Sequence, residues 1–196
     1  VINKNRPHCL ANIVTRKQFA VIATRIKEEI ENIKGLSNEL SERGLTGSKK
    51  KIKSALPPGD TFILRAIGSI LHDFYVATEN IFETVAREID EKLPAGEHWH
   101  RELLLQMTLD IPEVRPPLLS KETASKLDEF RAFRHVFRNV YGFNLSSERI
   151  VDLLNKFSQT AGCLEREVYS FIQTMKKIIP KEEAGDSIDP PSRNRG

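Results

Sequence analysis

From Phe130 to Tyr141 the chain reads Phe-Arg-Ala-Phe-Arg-His-Val-Phe-Arg-Asn-Val-Tyr. Three arginines, a histidine, an asparagine and a tyrosine within about three helical turns are groups that phosphate chemistry uses. Guanidinium groups stay charged and hold phosphate oxygens bidentately, and imidazole exchanges protons near neutral pH. On a helical wheel with Arg134 at zero and about 100° per residue, Arg138 falls at about +40°, Arg131 at about +60° and Tyr141 at about −20°. His135 and Asn139 lie one turn apart beside this stripe. Phe130, Phe133, Phe137 and Val140 take the other side. One face can therefore anchor in a core while the adjoining face offers cations to an anion.

Metal-independent cleavage of RNA needs a base for the 2′-hydroxyl, an acid for the leaving 5′-oxygen and cations for the charge that builds on phosphate. Arg134, Arg131 and Arg138 are the candidate phosphate and RNA-binding groups. His135 is a candidate proton carrier, with Asn139 and Tyr141 beside it. The bland alternative is a surface stripe paired with Asp128, Glu129 or another helix. No metal-ligand set is evident: His98 and His100 are two apart, a poor spacing for two ligands from one helix face.

The elements that must position these groups are helices. Phe19, Ile22, Ile26, Ile30, Ile33, Leu36 and Leu40 step by three and four, predicting a helix from about Thr15 to Arg43. A two-stranded coiled coil would show the same seam. Asp60 or Thr61 starts a denser apolar helix reaching about Leu93, interrupted by His72, Asp73, Tyr75, Glu79 and Asn80. Polar groups inside a bundle need partners, so these either bond to one another or to a neighbouring helix, or reach a groove. A short helix follows Glu97-His-Trp-His-Arg-Glu102, with Trp99 expected to plug the bundle end. Ser120 opens the helix that carries the arginines, and a last helix runs from about Glu148 to Ile179. The expected fold is all-α: an up-and-down bundle of four long helices plus a short one.

The segment from Gly44 to Gly59, holding Lys49, Lys50, Lys51 and Lys53, reads as a solvated linker or a flexible basic arm. The expected organisation is a loose leader over 1–14, one helical domain over 15–180 and a disordered tail over 181–196. A net charge of +3 is too small to imply nucleic acid by itself, so any basic patch must come from local clustering. Cys9 and Cys163 form no CxxC pair or disulfide framework. With no run of about 18 apolar residues, the expectation is a cytoplasmic protein with no membrane span, no cofactor and no metal.

Arg134-His-Val-Phe-Arg-Asn139-Val-Tyr141 resembles the R-x4-H-x-Y motif of HEPN domains, specifically the HepT-like toxins of HEPN–MNT toxin–antitoxin pairs. Leu71-His-Asp-Phe-Tyr75, Glu79-Asn-Ile-Phe82, Glu97-His-Trp-His-Arg-Glu-Leu-Leu104 and Phe143-Asn-Leu145 extend the likeness over roughly residues 16 to 179. The resemblance implies a homodimer that cuts RNA without metal at a dimer cleft. Arg134 would hold the scissile phosphate, and Tyr141 would line the cleft. In some relatives the motif tyrosine is modified with AMP by a partner nucleotidyltransferase antitoxin. The chain departs from the motif where Asn139 takes the histidine position. An amide exchanges no proton near neutral pH, so the proton role would pass to His135, one turn earlier, only with a shift of the groove by one turn. The alternative is a weakened module that binds RNA or the antitoxin without cleaving.

Overall fold

The computed structural model describes residues 14–57, 59–139 and 146–180. Six helices lie among them, in chain order α1 Arg16–Glu42, α2 Lys49–Ala55, α3 Thr61–Glu88, α4 Trp99–Gln106, α5 Lys121–Asn139 and α6 Ser147–Ile178. The all-α bundle is as expected, with one addition: a second short helix, α2. The expected leader (Val14 apart) and tail lie outside the described residues, as does Tyr141.

The lysine-rich segment is helical because its start is capped and its middle is docked. Ser48 Oγ accepts from Lys51 N, and Ile52 is completely buried against the core. Lys49 Nζ lies 2.6 Å from Asp152 Oδ1 of α6. A linker or free arm is therefore the wrong description: the lysines ride on a docked turn.

α3 is central, packed by α1, α4, α5 and α6. Its apolar residues fill most of the wheel, as a helix surrounded by neighbours requires. Phe74 stands 5.0 Å from Phe130 of α5 and 4.8 Å from Phe157 of α6, ring centre to ring centre, joining three helices at mid-height. Tilted aromatic contacts of this kind add about 1 kcal/mol each beyond burial.

Two polar clamps set α4 and α5 against this core. The buried Arg115 guanidinium forks onto Asp90, at 2.5 Å and 2.7 Å, and donates to the carbonyls of Gln106, Leu109 and Pro116. Gln106 Nε2 also donates to Asp90. The crossing after α4 is thus fastened to the end of α3, which fixes where α4 lies. At the start of α5, Glu167 of α6 accepts from Ser120 N, Ser120 Oγ and Thr123 Oγ1. A carboxylate at a helix N-terminus also meets the positive end of its dipole.

Candidate functional site

Glu79 lies within the apolar length of α3 and is 4% exposed. An unpaired carboxylate there would be costly, and two groups meet it. Arg134 Nη2 of α5 lies 3.0 Å from Glu79 Oε2. His100 Nδ1 of α4 lies 2.5 Å from Glu79 Oε1. Arg134 Nη1 is also 3.5 Å from His100 Nδ1. The Glu79 contact is much the shorter, so Nδ1 carries the proton and donates it to the carboxylate. In the neutral ring this arrangement makes Nε2 the proton acceptor. The Trp99 ring lies against the imidazole, ring centres 3.7 Å apart and tilted by 31°. Three helices therefore each supply one member of a carboxylate–imidazole–guanidinium cluster.

The cluster is partly open. The His100 side chain is 22% exposed and that of Arg134 14%. Arg134 Nε is buried without a hydrogen-bond acceptor among the described residues. Tyr75, one turn before Glu79 on α3, is completely buried, and its hydroxyl likewise lacks a partner there. Burial pushes the Tyr75 phenol far above its ordinary range, and the Glu79 charge pushes the same way. Tyr75 therefore stays a neutral O–H. An unmet buried donor costs about 1–3 kcal/mol, so two of them beside one charged cluster favour an acceptor that enters it.

The wheel's arginine stripe divides in the folded protein. Arg134 turns inward to Glu79. Arg131 is held by Asp128 at 2.6 Å, the local pairing the stripe's bland reading called for. Arg138 is exposed near the end of α5. His135 is on the exposed face, and Val136 beside it is 51% exposed. Asn139 is the last helical residue of α5, and its side chain lies outside the described residues. Among the expected site residues, then, Arg134 reaches the cluster, and its imidazole neighbour there is His100.

Of the other polar interruptions in α3, His72 bonds to Asp73 at 3.0 Å and packs on Phe137, ring centres 5.6 Å apart. Asn80 bonds to Glu29 of α1. His98 is exposed at the start of α4 and caps nothing. Trp99 is half-buried, packs against the core and lies beside the His100 ring.

A family model described as HepT-like protein matches residues 66–175, more than half of the chain. The match spans Glu79, His100 and Arg134. No curated protein and no solved structure matches the chain at a significant level.

Proposed function

The chain belongs to the HepT-like family, and from that membership and the Glu79–His100–Arg134 cluster we propose that it is the RNA-cleaving toxin of a toxin–antitoxin pair. The carrying observation is the imidazole whose Nδ1 is tied to Glu79, next to a guanidinium with an unused donor. In the proposed reaction Nε2 of His100 takes the 2′-hydroxyl proton. The 2′-oxygen attacks phosphorus, and the bond to the 5′-oxygen breaks. Arg134 binds the phosphate oxygens as negative charge develops on them. His135 returns a proton to the 5′-oxygen from the outer face of α5. Glu79 positions both His100 and Arg134 and touches no reacting atom. The scheme routes no step through a metal.

Homodimerisation, with the exposed face of α5 at the cleft, is part of this reading; Val136 gives that face an apolar centre. So are Arg131 and Arg138 as RNA contacts, a nucleotidyltransferase-type antitoxin as partner, and Tyr141 as the residue that partner adenylylates. An added phosphate beside an arginine stripe would repel RNA.

Expression of the chain alone should arrest growth, and Arg134→Ala should relieve the arrest. An equally toxic Arg134→Ala variant contradicts the reading. One observation favours a second reading: Asn139 stands at the motif's histidine position. On that account the module binds RNA or the antitoxin without cutting, and Asn139→His would create activity where the wild type has none.

A further inference from the structure

The groove between α4 and α5 continues beyond the cluster. The two helices run antiparallel, so that His100 meets Arg134 at one end. Farther along, Arg101, Leu104 and Leu105 of α4 face Lys121, Ser125 and Asp128 of α5 across a cavity of about 340 Å³. Leu104 is one turn from His100, about 6 Å along the helix. Asp128 binds Arg131, which is itself one turn before Arg134. Cluster and cavity lie one after the other along the same two helices.

The lining has two chemistries. Leu104 forms a buried floor, and Leu105 is 53% exposed, a large aliphatic group left without cover. Arg101 and Lys121 are exposed at the rim, and neither pairs with a carboxylate among the described residues. Single-stranded RNA sites pair a surface that covers a base face with cations along the backbone; here the covering surface is aliphatic. The volume falls within the range of small-ligand pockets.

We propose that this cavity receives the base of an RNA nucleotide adjoining the phosphate held at Arg134, with Arg101 and Lys121 on the flanking phosphates. The inference rests on the RNA reading above, and binding separates the two.

The probe is a labelled eight-nucleotide single-stranded RNA with 2′-O-methyl riboses, which cannot be cleaved by attack of a 2′-hydroxyl. Its affinity for the full chain is read by fluorescence anisotropy across a salt series. Ser125→Trp, which fills the cavity from an exposed position, should weaken binding about tenfold, the worth of covering one base face with apolar surface. Arg101→Glu and Lys121→Glu should each weaken it comparably and flatten the salt dependence by about one counterion. Lys27→Glu on α1 makes the same charge change away from the groove and should leave affinity within about twofold. If Ser125→Trp fails to fold, the two rim variants decide. Wild-type affinity in all the cavity variants, with loss in Arg134→Ala, overturns the cavity and leaves the RNA reading standing. No binding by the wild type overturns both.

Discussion

Glu79 joins side chains from two other helices: its Oε2 is 3.0 Å from Arg134 Nη2, and its Oε1 is 2.5 Å from His100 Nδ1. The bridge is buried, so removing its centre strands a guanidinium. We predict that Glu79→Ala lowers unfolding free energy by about 3–5 kcal/mol in urea, the cost of an uncompensated buried charge. Glu79→Gln keeps the shape and an acceptor and should lose less. A loss under about 1 kcal/mol for the alanine variant would mean that water screens the pair.

Tyr75 gives the fold an alkaline limit. Its phenol is raised in the folded state by burial. A raised group contributes stability that is fully present below the unfolded value, about 10 for tyrosine, and is lost as pH rises beyond it. Unfolding free energy should therefore fall above about pH 10, and Tyr75→Phe should flatten that fall. Parallel alkaline profiles for variant and wild type would sink the assignment.

The docking of α2 should have an acid limit. Lys49 holds the Asp152 carboxyl below its usual range. For a depressed carboxyl the contribution is present above the unfolded value and lost as pH falls through the folded one. Amide exchange in α2 should accelerate relative to α6 as pH drops below the ordinary carboxylate range. Asp152→Asn should show fast exchange in α2 at all pH values. Identical α2 protection in wild type and variant would show that Ile52 alone holds the helix.

The long helices were legible because each buries one face, and burial at 3.6-residue spacing writes a seam into the sequence. α2 was not, because it buries one residue, Ile52, and a single apolar position has no period. Among four lysines it reads as linker. Two of the cluster's three members were visible in the sequence. Glu79 interrupts an apolar helix, so it had to have partners. Arg134 stood out by type and spacing. His100 did not, because it was weighed with His98 as a metal pair, where the spacing fails. What joins it to the site is its distance from Glu79 across two helices, 21 residues apart in sequence. The usable signal was demand: a buried carboxylate needs a donor, and Arg134 and His100 were both near helix ends that could supply one.

The proton carrier is the sharpest point of the proposed chemistry. We predict that His100→Ala lowers RNA cleavage about 10²–10⁴-fold, the usual worth of a general base, with RNA affinity changed little. His135→Ala, if it supplies the acid, should lose a similar factor, and its loss should shrink for substrates with a better leaving group. Asn139→His should change the rate by far less than either. A large gain from Asn139→His with no loss from His100→Ala would return the proton role to the motif position.

Arg134 is the motif residue that also sits in the cluster, and the proposed chemistry depends on it most directly. The direct measurement is cleavage of single-stranded RNA by the purified chain in excess EDTA, beside Arg134→Ala and with folding of both checked by circular dichroism. We predict that the wild type cuts and leaves 2′,3′-cyclic phosphate ends, while Arg134→Ala, equally folded, cuts at least about 10²-fold more slowly. Equal cleavage by the two proteins, or none by the wild type, would contradict it.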